Sequence, residues 1–235
     1  MSQERGEGAG RFELPEYLPV DDLDPGTNVV VSGPTAAGAR RVALALATAG
    51  APGEGLLLVS ADVGGEALLA HCEEVAGELD RERVAVVDCS GTDDEQRRFA
   101  PGVGDIDGPG DVAAVGVEAS RLYEELLARG HDQVRVGVVS VSTLLLASDL
   151  PTVSQFLHAL TGRVVALGDL GVFLVDSSAG DPRATEALER FCDHRVTVRR
   201  EDDGRPAVRV DDVARPGGLG EWTAFDPPWD VVERD

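Results

Sequence analysis

The feature that most restricts what this chain can become is a series of short, almost wholly apolar runs, each followed by a longer segment of helical period. The runs cover residues 28–32, 55–60, 84–88, 134–141 and 171–175. None alternates apolar with polar residues, as a strand with one wet face would, so these strands belong in a sheet covered on both sides. The segments between them predict helices over about 38–49, 64–77, from a Gly/Asp-rich loop at 102–110 to about Gly130, and from Asp149 to about Leu167. Asp181 and Pro182, a cap followed by proline at the first helical position, open a further helix over 183–193. Strand–helix alternation of this kind gives an α/β fold with a mostly parallel sheet and right-handed crossovers. The chain then changes habit: residues 194–200 and 207–210 alternate around Asp202-Asp203-Gly204 and predict a C-terminal β-hairpin. With 235 residues and 43% hydrophobic content, one core suffices. We expect a single domain over 14–225, a disordered acidic N-terminus over 1–13 and a C-terminal tail over 226–235.

Between the first strand and its helix lies Gly33-Pro34-Thr35-Ala36-Ala37-Gly38-Ala39-Arg40-Arg41. The two glycines have the spacing of a phosphate-binding loop, Gly-x-x-x-x-Gly-Lys-Ser/Thr. In such a loop successive backbone N–H groups and a helix N-terminus face an anion. A glycine pair alone joins many strands to helices; its place after the first apolar strand is what draws attention to it.

Around that loop the chain resembles the KaiC/RadA/RecA-like P-loop ATPases, and especially their haloarchaeal members. Residues 25–34 resemble the entry to the family's P-loop, and residues 136–144 resemble its Walker B strand and the Ser/Thr-rich turn after it. The closing hairpin is similar to the end of KaiC-like domains. The resemblance implies a RecA-like fold over most of the chain and a nucleotide, ATP or ADP, at residues 33–41. It also marks departures. Ala39 stands where the family has its lysine, Arg40 where a Ser/Thr would hold Mg²⁺, and Ser140 (Val139 in the adjacent register) where the metal-holding Asp would be. Phosphoryl transfer rests on positioning and on neutralising developing charge, so losing all three groups removes most of the machinery. Three readings follow: a non-hydrolysing regulatory or signalling module, an ATPase that grips phosphate through Arg40 and Arg41, or a scaffold without ligand. The arginines also have an ordinary use, pairing with surface carboxylates.

The charge bears on partners. The chain carries 43 acidic and 21 basic side chains, a formal net charge of -22, and every basic residue is arginine. A GC-rich genome and a salty cytosol both favour this pattern, and together they suggest a halophilic archaeon. Nucleic acid, held by positive stripes, is not expected as a partner. The arginine-dense stretch 195–209 is interleaved with Glu201, Asp202 and Asp203 and reads as a solvated hairpin. Protein contact or self-association is expected instead. The apolar run 136–147 is too short to span a bilayer, and the polar start is unlike a signal peptide, so a cytoplasmic location is expected. Cys72, Cys89 and Cys192 are scattered without metal spacing and read as buried thiols, and no metal is expected. Asp62 and Glu66 lie near where such folds keep a water-activating carboxylate, but a solvated helix start explains them as well. Asp176-Ser177-Ser178 is either a ligand-binding strand end or a turn. Trp222 and Trp229 are expected to pack the tail onto the body.

Overall fold

The computed structural model describes residues 10–51, 53–91, 103–178, 186, 189–213 and 220–229. A short hairpin comes first, β1 (Phe12–Glu13) paired antiparallel with β2 (Asp22–Leu23). Then follow β3 (Thr27–Gly33), α1 (Ala39–Thr48), β4 (Glu54–Ser60), α2 (Gly65–Ala76), β5 (Val84–Asp88) and β6 (Val103–Asp105). The second half runs α3 (Val112–Ala128), β7 (Gln133–Val138), α4 (Val141–Ala147), α5 (Leu150–Leu167), β8 (Leu170–Asp176), β9 (His194–Arg200), β10 (Pro206–Asp212) and β11 (Thr223–Ala224).

Among the described residues the main sheet has nine strands in the order β11-β10-β9-β3-β8-β7-β4-β5-β6. From β9 to β6 all pairings are parallel; only β10 and β11 run antiparallel, and β9–β10 is the C-terminal hairpin. Side chains point alternately to the two faces, so the run Val29-Val30-Val31 feeds both cores. Val29 and Val31 pack with α1 and α2 on one face, and Val30 packs with α3, α4 and α5 on the other. The unbroken apolar strands are thereby explained: β4 is buried along its whole length. Helix ends follow local chemistry. Asp111 and Asp149 cap α3 and α5, accepting from the N–H of Ala114 and Thr152, and Gly168 closes α5 in the left-handed region at φ 72°.

Four expectations change. The strand read over 134–141 ends at Val138, and Val141 begins α4. A β-branched run buried on all sides looks the same in a strand as in a short buried helix, and only the departure of the chain from the sheet at Ser140 separates them. The loop read over 102–110 contains the edge strand β6, and Thr35–Ala37 forms a 3-10 turn ahead of α1. Phe12 and Glu13, assigned to the disordered start, form β1, with Phe12 wholly buried. The helix read over 183–193 lies largely outside the described residues. At the other end, Trp229 is buried against Tyr17 and Phe225, with ring centroids at 5.5 and 6.4 Å, and packs the tail on the body.

Candidate functional site

Parallel sheets of this kind present their loops for ligands at the carboxyl ends of the strands. Here those ends belong to β3, β4, β5, β7 and β8, and most of their polar groups are short side chains bonded to neighbouring loops. Ser140, at the exit of β7, accepts from the Ala61 N–H at 2.6 Å. The Ser142 hydroxyl accepts from the Asp176 N–H at 2.9 Å. Asp88, fully buried at the end of β5, accepts from the Gly65 N–H at 2.7 Å and from the Ser90 hydroxyl at 2.7 Å, fixing the start of α2.

The glycine loop leaves β3 at this edge, and each glycine has a backbone reason to be there. A Cβ on Gly33 would lie 2.5 Å from the Val198 carbonyl oxygen of β9, so only glycine allows that approach. Gly38 sits at φ 95°, in the left-handed region, with open space around it. Between them the amides turn inward. Ala37 N–H donates to the Pro34 carbonyl at 2.9 Å, Gly38 N–H to that of Thr35 at 2.8 Å, and Ala39 N–H to that of Pro34 at 3.4 Å. The Ala36 carbonyl accepts from the Arg200 guanidinium of β9. Thr35 Oγ1 donates to Asp176 Oδ2 at 2.7 Å, tying the turn to the tip of β8. Ala39, the first residue of α1, is wholly buried.

The charged groups of the sequence reading fall into pairs. Arg40 donates to both carboxylate oxygens of Asp62, across from the end of β4. Glu66 accepts from Arg81 at 2.9 Å, which also bonds Glu73 at 2.8 Å. Arg41 lines a narrow cleft with Ala36, Ala37, Gly38, Arg200, Pro206 and Trp229. Asp176, left open in the sequence between a ligand site and a turn, accepts from Thr35 and from the Ser178 N–H and hydroxyl at 2.8 and 2.5 Å. Its burial works to raise the pKa, but the bonds from Ser178 and Thr35 together outweigh that and hold the carboxyl below the ordinary range. Thr35 is the member of this cluster that sequence patterning did not single out beyond its place in the loop. A hydroxyl two residues after the first glycine carries no signal until β8 is known to lie beside β3.

Cys89 follows Asp88 at the carboxyl end of β5 and donates to the Ser60 carbonyl at 3.1 Å, while the other two thiols stand apart from the site. Burial pushes Cys72 and Cys192 up to about 12, with nearby Glu73 in one case and Asp193 and Glu189 in the other adding to it. Among the described residues no three His, Cys, Asp or Glu side chains converge as a metal site would require. Among them also, no helix is long and apolar enough to cross a membrane.

With this geometry in view, the relatives can be named. The fold is similar to that of the KaiC-like protein PH0186 from the hyperthermophilic archaeon Pyrococcus horikoshii OT3. The TM-score is 0.62 at 11% identity, over 93% of this chain and 95% of that one. It is also similar to the uncharacterized protein PH0321 from Pyrococcus horikoshii, solved in complex with an unknown peptide. That likeness has a TM-score of 0.55 at 13% identity, over 79% of this chain and 83% of that one. The architecture is therefore RecA-like, of the KaiC-like type, and these identities speak to fold alone. No curated protein matches the chain. A family model does match it, over residues 26–198, from the turn before β3 into β9; the chain belongs to that family, a family of unknown function designated DUF7504.

Proposed function

We propose that this protein is a RecA/KaiC-like module that does not hydrolyse nucleotide and acts in regulation or signalling, through a protein partner or a second copy of itself. The observation that carries the reading is the state of the glycine loop. Three amides that a phosphate-binding loop would aim at its anion are bonded to Pro34 and Thr35 within the turn. Ala39 offers no cation at the lysine position, and Arg40 is paired with Asp62. Ser140 at the Walker B position spends its hydroxyl on Ala61. Both glycines are required by backbone geometry, so their presence needs no phosphate to explain it. In this reading residues 33–41 form a structural turn, the domain spans 14–225, and a cytoplasm of high salt suits the acidic surface.

The peptide in the PH0321 structure supports the protein-partner half of the proposal, as one example of a similar fold that holds a peptide. A second reading, nucleotide bound through arginine, draws on Arg41 and Arg200 flanking the turn. One pair of measurements separates them. The purified chain in concentrated KCl is titrated with ATP and ADP, with and without Mg²⁺, and phosphate release is followed in parallel. The expected result is neither saturable binding nor release above the buffer rate. Binding without release would keep the non-hydrolysing reading and add a ligand to it, and sustained phosphate release would favour the arginine-based ATPase and remove the proposal.

A further inference from the structure

On the face of the sheet away from α1, helices α3 and α5 part above β4 and β7 and leave a cavity of about 200 Å³. The gap follows from side-chain size. Gly116 and Ala119 of α3 and Ala159 of α5 line it, and none of them can fill it. Leu57 and Val136 from the strands and Phe156 and Leu160 from α5 make the rest of the apolar wall.

One side of this cavity is polar, and its charges are arranged unequally. Asp169 is 1% exposed and committed: its carboxylate accepts from Tyr123 Oη at 2.6 Å and from the Val134 N–H at 2.9 Å. Arg163 stands on the other side of the tyrosine, its Cζ 4.3 Å from the centre of the Tyr123 ring. It donates one bond, to Ser120 Oγ at 3.1 Å. Among the described residues Arg163 makes no ion pair, in a chain where acidic side chains outnumber basic ones 43 to 21. Arginine elsewhere in this molecule commonly finds a carboxylate; here a guanidinium with donors to spare lies beside an apolar slot.

We propose that this cavity is a binding site for a small organic carboxylate, with its apolar body between α3 and α5 and its carboxylate on Arg163. The planar guanidinium, steadied by the Tyr123 ring and Ser120, suits a two-point grip on a carboxylate. The size fits as well: an apolar cavity of about 150 Å³ accepts benzene, so this one has room for a body of that class. The buried Asp169, beyond the Tyr123 hydroxyl, is already occupied by Tyr123 and Val134, which leaves Arg163 as the anchor for an anion. This site is separate from the glycine loop, and its test does not depend on how that loop is read.

The full chain is titrated with benzoate and isovalerate, and with benzyl alcohol as a neutral probe, while the Ala119 and Ala159 methyl resonances are followed by NMR. We expect saturable millimolar binding of the two acids with shifts centred on those methyls. Arg163→Gln should weaken benzoate about tenfold, as loss of a charge-assisted contact requires, while benzyl alcohol is unaffected. Ala159→Leu, which narrows the slot from its outer side, should weaken all three probes and gives a second variant should Arg163→Gln not fold. Absence of saturable benzoate binding to the unaltered chain overturns the proposal. So do shifts centred elsewhere, or an Arg163→Gln effect equal for the acid and the alcohol.

Discussion

The two ends of the central strands handle charge in opposite ways. At the carboxyl ends, where the glycine loop lies, polar groups are mostly short and bond to nearby backbone: Ser140 to Ala61, Ser142 to Asp176, Asp88 to Gly65. At the amino ends, a full cation is buried. Arg135 of β7 is 0% exposed, and its three nitrogens donate to Glu54 Oε2 at 2.6 Å, the Leu46 carbonyl at 2.9 Å and the Glu13 carbonyl at 2.8 Å. Arg83 lies alongside and donates to the Thr48 and Glu54 carbonyls at 2.9 and 3.3 Å. Leu46 and Thr48 lie in the last turn of α1, where unsatisfied carbonyls favour a positive charge. Arg135 also stacks near Phe12, with its Cζ 5.2 Å from the ring centre, and so joins the N-terminal hairpin to the sheet. The comparison teaches that burial of charge is a poor guide to function here. Among the described residues the most deeply buried guanidinium sits at the end of the sheet away from the glycine loop and is fully occupied in joining elements.

The contrast can be broken in order of expected size. Arg135→Ala should cost about 3–5 kcal/mol, because it leaves Glu54 and two carbonyls without their partner in a dry setting. Urea unfolding of the variant measures this, and a loss below about 1 kcal/mol would show that the network does not join the hairpin to the sheet. Asp176→Asn comes next, at about 1 kcal/mol, since the Thr35 and Ser178 bonds weaken but the group is partly in solvent. Its folded pKa lies below the unfolded value of about 3.9, so its contribution is present above that pH and is lost as pH falls through the folded pKa. The gap between wild type and Asp176→Asn should therefore be constant near neutrality and close below about pH 4. A gap that widened in acid would contradict the hydrogen bonding assigned to that carboxylate. The smallest effect belongs to Arg40→Ala. The Arg40–Asp62 pair, with side chains 17% and 28% exposed, should be worth at most about 1 kcal/mol and less in high salt. Thermal unfolding at low and high KCl measures it directly.

Much of the architecture was legible in the residues. Runs such as 55–60 and 171–175 have no polar alternation, and their placement between helical segments led to a parallel sheet covered on both faces. The final pair at 194–200 and 207–210 alternates around a Gly turn, and it forms the hairpin β9–β10. Less of the candidate site was legible. The glycine spacing located the turn, but the direction of its amides depends on φ and ψ, which residue letters do not record. The Arg40 pairing was one of two readings open in the sequence, and the choice required knowing that the end of β4 lies beside the start of α1. Arg135 carries a signal of its own: a charge inside the apolar run 134–141 has to find an acid or several carbonyls. Nothing in the sequence distance between Arg135 and Glu54 says that it does.

By itself the sequence determined the order and kind of most elements, the two-sided burial of the strands, and the absence of a lysine at position 39 or anywhere else. Those are local properties, set by side-chain periodicity and by identity. Only the tertiary structure decided that β8 lies between β3 and β7, that Ala37, Gly38 and Ala39 donate their amides within the turn, and that Arg163 and Tyr123 share a cavity. For the strand order and the cavity the reason is that packing contacts and hydrogen bonds reach only about 3–4 Å, whereas the partners are separated by tens of residues in the chain; for the turn it is that residue letters do not record φ and ψ. Periodicity sorts each residue to a face of the sheet, but it does not say which residue will be waiting there.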